Sequence, residues 1–243
     1  MSTNVSAGNA AAPPPGDAEL RSRRVFASEQ SGGISDEPIY AAIEQRLAEL
    51  EATGALLDFG AGTAQLTRRL LMTKRFRTLA AADLFARPED LPDPITWVRA
   101  DLNDRLPLPD ASIDVLVAAE VIEHLENPRA VAREFFRLLR PGGKIVLSTP
   151  NNESWRSLIA LLVRGHFVAF GDTGYPAHIT AMLRKDLERV LAEAGFMGAS
   201  FSFTNVGGIP GSPSRTWQAL SGNRLRGLRF SDNVVVTAEK PRV

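Results

Sequence analysis

The sequence predicts an α/β protein, and three observations support that fold class. Short apolar runs of strand length alternate with segments of helical spacing, which indicates βαβ units and a mainly parallel sheet covered on both faces. Several of these runs end in a glycine or an acidic residue. Hydrophobic residues make up 44% of the 243-residue chain and charged residues 23%, the ordinary balance of a globular protein.

The first part of the chain supplies five predicted strands and three predicted helices. The strands are expected at 55–60, 77–83, 95–101, 112–120 and 144–150, where apolar residues are continuous. The helices are expected at 38–52, 64–74 and 128–140, where apolar residues recur every three or four positions. Pro141-Gly142-Gly143 is expected to end the third helix.

The second part adds two helices, at 153–164 and 180–194, and two strands, at 199–205 and 233–239. Gly195 closes the second of these helices. Seven strands therefore form a single sheet, and the sequence predicts one domain.

Two segments are predicted to lie outside the regular elements. Residues 1–37 are expected to be a disordered N-terminal leader, because small residues and three consecutive prolines dominate its start. The domain is expected over 38–243, with an insert at about 151–180. A Gly/Ser/Pro-rich loop at 206–232 is long, and loops of such length are usually functional or mobile.

Charge and composition exclude several classes of protein. The 28 basic and 28 acidic residues balance, which argues against a surface built to neutralise nucleic-acid phosphates. No cysteine is present, so the chain has no disulfide framework, thiolate nucleophile or cysteine-type zinc site. No segment reaches the roughly 18 consecutive apolar residues of a membrane-spanning helix, and no secretory signal begins the chain. These observations predict a soluble, cytoplasmic protein.

A glycine loop follows the first strand and opens a helix. In Leu-Asp-Phe-Gly-Ala-Gly-Thr-Ala, Gly60 permits a tight turn and Gly62 would let a ligand approach the backbone closely. Asp83 ends the next strand, and a carboxylate there can accept both hydroxyl groups of a ribose. The first two strands therefore predict a cofactor that contains adenosine.

Two such cofactors compete for this loop. A dinucleotide fingerprint is Gly-x-Gly-x-x-Gly, but Gln65 stands where the third glycine would fall. Asp58, two residues before the first glycine, would repel a diphosphate and would suit an ammonium or sulfonium group. The loop therefore favours S-adenosylmethionine over NAD.

Five motifs in order carry a resemblance to a known family. They are LLDFGAGTAQL, Asp83, Asp101, DVLVAAEVIEHLENP and LLRPGGKIVLSTPN. The stretch from Leu56 to Thr149 resembles the class I S-adenosylmethionine-dependent methyltransferases of type 11/12, and is similar to the ubiquinone-pathway O-methyltransferases. The chain departs from them at Ala64, where many members carry glycine.

The resemblance implies a Rossmann-like, three-layer fold and eight cofactor-binding residues. They are Asp58, Gly60 and Gly62 at the methionine end, Asp83 at the ribose with Leu84 beside the adenine, Asp101 at the adenine amino group with Leu102 next to it, and Glu120 beside the transferred methyl.

A cluster of titratable residues follows the fourth strand. In a helical turn of about 100° per residue, Glu120, Glu123 and His124 would share one face at the carboxyl ends of the strands. The other two histidines, His166 and His178, follow within the same part of the chain. This clustering predicts a site on the side of the methyl acceptor.

Three interpretations of the cluster stay open. His124 or His178, supported by Glu123, could be the general base that takes a proton from an acceptor hydroxyl. Alternatively, Glu120, Glu123, His124 and His178 could hold Mg²⁺ or Mn²⁺. That second pattern resembles small-RNA 3′-end 2′-O-methyltransferases, which carry E-x-x-E-H and a later histidine. In the third interpretation, Glu123 and His124 only orient the loop.

The segments after the fifth strand are expected to meet the acceptor. Asn151 to Trp155 and the aromatic loop at 165–178 could form its wall. Trp155 and Trp217 could stack on a ring. The apolar face of the helix at 153–164 could belong to the core, to a peripheral membrane contact or to an oligomer contact.

The sequence therefore predicts an S-adenosylmethionine-dependent methyltransferase that methylates a hydroxyl oxygen of a small molecule or glycan. Three alternatives remain: a metal-dependent RNA 2′-O-methyltransferase, which the neutral charge disfavours, a cofactor-binding protein without catalysis, and a nucleotide-linked oxidoreductase.

Overall fold

The computed structural model describes residues 16–242, except for the side chains of Asp17 and Pro213. Its middle layer is a seven-stranded sheet in the order β3-β2-β1-β4-β5-β9-β6. The strands are β1 (Gly54–Phe59), β2 (Phe76–Asp83), β3 (Ile95–Arg99), β4 (Ile113–Ala119), β5 (Leu139–Pro150), β6 (Met197–Phe203) and β9 (Asn233–Glu239). The pairs among the first five are parallel, and β9 runs antiparallel to β5 and β6.

Helices cover both faces of this sheet, so the predicted α/β, Rossmann-like three-layer fold is confirmed. The helices are α1 (Asp17–Ser31), α2 (Glu37–Glu49), α3 (Gln65–Met72), α4 (Pro128–Leu138), α5 (Trp155–Arg164), α6 (Arg184–Glu193) and α7 (Trp217–Ser221). One core cluster lies between the sheet and α4 and α6, and a second lies between the sheet and α2 and α3. Buried aliphatic residues on both faces explain why β1, β4 and β5 are continuous apolar runs.

The strand order places the ligand-binding edge of the sheet. From β1 the chain goes outward to β2 and β3, and then returns to β4 on the other side of β1. At such a reversal the loops after the two central strands turn to opposite faces and open a crevice beyond the carboxyl ends. The glycine loop after β1 and the Glu120–His124 segment after β4 therefore face each other.

The predicted disordered leader is wrong over the part that the structure describes. Residues 17–31 form α1, a 15-residue helix that Gly32 closes in the left-handed conformation. None of the described side chains of α1, which exclude that of Asp17, is fully buried, so the sequence of α1 carries no apolar face. Arg24 instead ties the helix to Glu126 and Asp101. Residues 1–15 of the predicted leader lie outside the described residues.

The predicted loop at 206–232 is also more regular than expected. It holds a two-stranded antiparallel sheet, β7 (Gly208–Ile209) and β8 (Ser212–Thr216), followed by α7. The buried amide of Gln218 accepts from the Gly207 N–H at 3.0 Å and donates to the Phe230 carbonyl at 2.9 Å. These strands are too short to produce a hydrophobic period, so the sequence pattern gave no sign of them.

The end of α4 differs from the prediction too. Proline and the two glycines at 141–143 belong to β5, which begins at Leu139 instead of 144. Gly142 N donates to Lys240 O and Lys240 N donates to Gly143 O, both at 2.8 Å. Residues 141–143 therefore extend β5 and pair with Lys240, which directly follows β9. Within residues 16–242, no helix combines the length and apolar character that crossing a bilayer requires.

Candidate functional site

A cavity of about 490 Å³ lies at the carboxyl ends of β1 and β4. Its volume is within the range of small-molecule sites. Its wall includes all eight residues that the resemblance implied for the cofactor: Asp58, Gly60, Gly62, Asp83, Leu84, Asp101, Leu102 and Glu120. His124 and His178 also line the cavity, whereas Glu123 does not.

The two glycines of the loop are required for different reasons. Gly60 has φ +81°, and a Cβ there would lie 2.3 Å from a Val121 methyl group. Gly62 has φ +52°, and its Cβ would lie 2.1 Å from the Gly33 carbonyl oxygen. The space beside Gly62 is thus filled by the chain's own backbone, and the expected close approach of a ligand there is not the reason for this glycine.

Asp58 brings a buried carboxylate to the methionine end of the expected site. The Thr67 hydroxyl donates to its Oδ2 at 2.5 Å, while Oδ1 has no hydrogen-bond partner among the described residues. Burial raises the pKa of Asp58 to about 7, and the charge of Asp83 acts in the same direction. A buried carboxylate oxygen without a donor on the cavity wall fits a cationic ligand such as the ammonium of S-adenosylmethionine.

Asp83 is held rigidly where a ribose is expected. Its Oδ2 accepts from Gly62 N at 2.7 Å and its Oδ1 accepts from Phe85 N at 3.0 Å. Each carboxylate oxygen has a second lone pair, so both can still accept a ligand hydroxyl. Burial raises the pKa of Asp83 despite these backbone hydrogen bonds.

Asp101 lies on the cavity wall where the adenine is expected, and its carboxylate also accepts a hydrogen bond from a residue of α1. Its Oδ1 accepts from Asn103 N at 2.9 Å and its Oδ2 accepts from Arg24 Nη1 at 3.0 Å. Burial alone would raise the pKa of Asp101, but the hydrogen bonds from Asn103 and Arg24 outweigh it and keep the pKa below its usual range. Asp101 is therefore an ionised acceptor beside the half-buried Leu102.

Glu120 has a strained backbone at the end of β4. Its φ of +54° lies in the left-handed region, which is costly for a side chain with a Cβ and is often found at functional sites. Asn233 Nδ2 donates to Glu120 Oε2 at 2.8 Å, and Oε1 has no partner within residues 16–242. Burial raises the pKa of Glu120 to about 7.

The predicted helical face of Glu120, Glu123 and His124 is wrong. Only Ile122–His124 is helical, as one 3₁₀ turn, and the left-handed Glu120 precedes it. The Glu123 side chain is fully buried behind the wall, where the Thr149 hydroxyl donates to its Oε2 at 3.1 Å. Burial, together with the charge of Glu120, holds the pKa of Glu123 well above its usual range.

His124 and His178 form a pair on the cavity wall. Their ring centroids are 4.7 Å apart. His124 Nδ1 lies 2.8 Å from Ala177 O, and His178 Nδ1 lies 2.7 Å from Ala169 O. Since a carbonyl oxygen only accepts, each Nδ1 carries a hydrogen, and in a neutral ring Nε2 is then free to accept.

The surroundings of this pair keep His124 uncharged. Burial lowers the pKa of His124 to about 4, and His178 acts in the same direction. One ligand atom from each of Glu123, His124 and His178 lies within 4.8 Å of the others, a spacing that could hold a metal ion. Glu120, the fourth predicted ligand, is not in this group.

Several wall residues were missed by sequence reasoning. Arg24, Tyr40 and Asn233 line the cavity, and so does the partly exposed segment 33–36 between α1 and α2. Asn233 could have been found, because an antiparallel β9 begins at the edge where the parallel strands end. The sequence of α1 did not indicate that it would line the cavity, because its apolar residues do not recur at helical spacing.

The predicted acceptor segments are divided between the cavity and other roles. Tyr175 lines the cavity and is 73% exposed. Trp155 lies outside the wall, where the Arg229 guanidinium covers its ring at 5.3 Å, and Trp217 contacts Phe230 edge-on. On α5, Leu162 is 85% exposed, so the apolar face of this helix is not core there.

Comparison with known proteins adds sequence and fold likenesses. A family model described as a methyltransferase domain matches residues 35–199, more than half of the chain. A protein from Mycolicibacterium smegmatis, named "Probable S-adenosylmethionine-dependent methyltransferase", is 41% identical over 92 residues, which cover 37% of this chain and 31% of that protein. A ubiquinone biosynthesis O-methyltransferase from Psychrobacter arcticus is 27% identical over 165 residues, or 64% of each chain. The matches thus span less than two thirds of either relative.

A solved structure extends the likeness in fold. The 1,6-didemethyltoxoflavin-N1-methyltransferase of Burkholderia thailandensis, solved with 1,6-didemethyltoxoflavin and S-adenosylhomocysteine, superposes with a TM-score of 0.61. The superposition covers 96% of this chain and 93% of that one at 17% identity. At an identity this low, the likeness shows a common fold and no more.

Proposed function

We propose that this chain, which belongs to the family described as a methyltransferase domain, is an S-adenosylmethionine-dependent methyltransferase that methylates a hydroxyl oxygen of a small molecule or glycan. The observation that carries this proposal is the His124–His178 pair, whose Nδ1 hydrogens are committed to backbone carbonyls. A neutral imidazole with a free Nε2 is suited to accept a hydrogen bond from a hydroxyl group.

The cavity residues fit the cofactor group by group. The unpartnered Asp58 Oδ1 matches the ammonium group, and the fixed carboxylate of Asp83 matches the ribose hydroxyls. Asp101 would accept from the adenine amino group, with Leu84 and Leu102 beside the ring. The cofactor supplies an electrophilic methyl carbon on a sulfonium leaving group.

The His124–His178 pair, on the same cavity wall as Glu120, would then hold the acceptor for an in-line displacement. With the cofactor bound, the acceptor oxygen would form a bond to the methyl carbon, and the carbon–sulfur bond would break with its electron pair going to sulfur. His124, which its lowered pKa keeps unprotonated at Nε2, would orient the hydroxyl by accepting its hydrogen bond, and His178 would take the proton. Close positioning supplies much of the rate increase in such a reaction.

The charges on the wall favour an uncharged acceptor over an anionic one. Within the described residues that line the cavity, the guanidinium groups are those of Arg23 and Arg24, and both pair with acids. A carboxylate or phosphate acceptor would meet Glu120 without a free cation to offset it. The name of the Psychrobacter relative is consistent with an oxygen acceptor.

A second candidate is a divalent cation, Mg²⁺ or Mn²⁺, at Glu123, His124 and His178. Their ligand atoms lie within 4.8 Å of one another, and Glu123 Oε1 has no partner among the described residues. Both imidazoles donate Nδ1–H to a backbone carbonyl, the usual support for a histidine ligand. The cation would then acidify the acceptor hydroxyl.

Labelled methyl transfer tests both candidates. Purified protein is given S-adenosylmethionine with a labelled methyl group and pools of phenolic small molecules, glycans and RNA, with and without a chelator. His124→Ala and His178→Ala are compared with His166→Ala, which removes the histidine outside the cavity wall. We expect the first two variants to lower kcat at least about 100-fold while cofactor binding is kept, because general-base removal costs this much.

The outcomes separate the candidates. Transfer to a hydroxyl that survives chelation supports the imidazole pair, and transfer that requires added Mn²⁺ or Mg²⁺ supports the metal. Equal rates in all three variants, or label in RNA alone, would contradict the proposal.

A further inference from the structure

The inner face of α1 is directed at the cavity rather than at a core. Besides the exposed Arg23, five residues of α1 at helical spacing line the cavity: Leu20, Arg24, Ala27, Ser28 and Ser31. Each is partly buried and none is fully buried. A helix that packs on a hydrophobic core buries some side chains completely, as α4 does with Phe135 and Leu138. The burial of α1 therefore depends on what the cavity holds.

One arginine joins α1 to the opposite rim of the cavity. Arg24 Nε and Nη2 donate to the two carboxylate oxygens of Glu126 at 2.9 and 2.6 Å, and Nη1 donates to Asp101 Oδ2 at 3.0 Å. A bidentate guanidinium–carboxylate pair fixes both distance and orientation. The Arg24 side chain is only 20% exposed, so water screens these contacts less than contacts on an open surface.

The other end of α1 is tied to the glycine loop. Gly32 and Gly33 are consecutive left-handed residues, with φ of +70° and +60°. Gly33 O accepts from Thr63 N at 3.0 Å and from the Thr63 hydroxyl at 3.3 Å. Two adjacent glycines can change conformation at little steric cost, so the chain can turn here while Gly33 stays on the loop.

We propose that α1 is a lid over the adenosine end of the bound cofactor, that it turns at Gly32–Gly33, and that Arg24 is the positioning residue that holds it closed. This inference rests on the cofactor placement proposed above, since Asp101 would accept from both Arg24 and the adenine. The Asp101 carboxylate would then hold both the lid, through Arg24, and the adenine.

The energetics of α1 support a helix that the cofactor stabilises. An isolated helix of this length is marginal in water, and none of the described side chains of α1 is fully buried. Helices with few buried contacts belong to the least stable part of a protein. A ligand that contacts such a helix stabilises its closed form against local opening. The cofactor can exchange only when the Arg24 contacts open.

The test follows S-adenosylhomocysteine on the full chain. Dissociation is measured by stopped flow, and hydrogen exchange of residues 17–31 is measured with and without this ligand. Arg24→Ala and Glu126→Gln each remove part of the bridge. Arg21→Ala is the matched control, because Arg21 is on the same helix, exposed and not on the cavity wall.

We expect S-adenosylhomocysteine to protect residues 17–31 from exchange in the unmodified protein. Arg24→Ala should abolish that protection and speed dissociation about tenfold, the value of a charged hydrogen bond. Glu126→Gln should act in the same direction without touching Asp101, and Arg21→Ala should match the unmodified protein.

Three results would overturn the inference. Binding with equal dissociation rates in Arg24→Ala and Arg21→Ala, or exchange at 17–31 that ignores the ligand, would exclude the lid and leave the methyltransferase function standing. A failure of the unmodified protein to bind S-adenosylhomocysteine would overturn the cofactor placement and the lid together.

Discussion

At the scale of single residues, buried carboxylates determine how the cavity responds to charge. Asp58 and Glu120 both have a raised pKa of about 7 because burial disfavours their ionised forms. A cationic ligand reverses this preference, since it stabilises a carboxylate that it contacts. Binding of the cofactor is therefore expected to release a proton when the pH is below 7.

Asp58 predicts a pH dependence of cofactor affinity. With a pKa of about 7 in the folded protein, only about a tenth of Asp58 is ionised at pH 6, so S-adenosylmethionine should bind about tenfold more weakly at pH 6 than at pH 8. Calorimetric titration across this range measures the change. The folded-state pKa lies above the ordinary value, so Asp58 lowers the stability of the unliganded protein as pH rises towards 7.

The controls separate Asp58 from the second carboxylate. Asp58→Asn should bind weakly at every pH and lose most of the pH dependence, whereas Glu120→Gln should keep it. An undiminished pH dependence in Asp58→Asn would show that another group titrates.

The sequence predicted well which residues at the strand ends line one cavity, and it predicted the geometry of the Glu120–His124 segment poorly, for a physical reason. Asp58, Asp83 and Asp101 each belong to a strand or follow it directly, and parallel strands deliver their carboxyl ends to one edge. Glu123 could not be placed, because the left-handed Glu120 breaks the helical spacing that would have set its direction.

At the scale of elements, the strongly apolar strands and amphipathic helices were predictable and the polar ones were not. β4 is buried along almost its whole length and α4 buries one face. The apolar residues of both elements therefore follow the period that predicts a strand or a helix. α1 and the β7–β8–α7 segment are held by hydrogen bonds and ion pairs between residues far apart in sequence. No local pattern reports such contacts.

Asn151 predicts how the segment before β9 is held. Its buried Nδ2 donates to Leu228 O at 2.6 Å and to Ser231 O at 2.8 Å. Asn151→Ala leaves two carbonyls without these donors and should lower the free energy of unfolding by about 2 kcal/mol. A thermal melt should show the loss as a decrease of about 4–8 °C in Tm.

Hydrogen exchange distinguishes this role from general destabilisation. Asn151→Ala should raise exchange in residues 224–232. The neighbouring Asn152→Ala, which loses a hydrogen bond to Met182 O instead, should raise exchange near residue 182. The same exchange pattern in both variants would contradict the assignment.

At the scale of the whole molecule, the neutral net charge conceals an uneven distribution. The cavity gathers Asp36, Asp58, Asp83, Asp101 and Glu120, whereas its two arginines are paired with acids. Such a site attracts a cationic cofactor and holds the neutral sulfur product less strongly. The same charges disfavour a dinucleotide, whose diphosphate would lie beside Asp58.

The most direct test of this account is a calorimetric titration of S-adenosylmethionine and NAD into the unmodified protein and into Asp83→Asn. We predict one S-adenosylmethionine site, no measurable binding of NAD, and affinity at least about tenfold weaker in Asp83→Asn, because the ribose hydroxyls lose a charged acceptor. Tighter binding of NAD than of S-adenosylmethionine, or unchanged affinity in Asp83→Asn, would contradict the account.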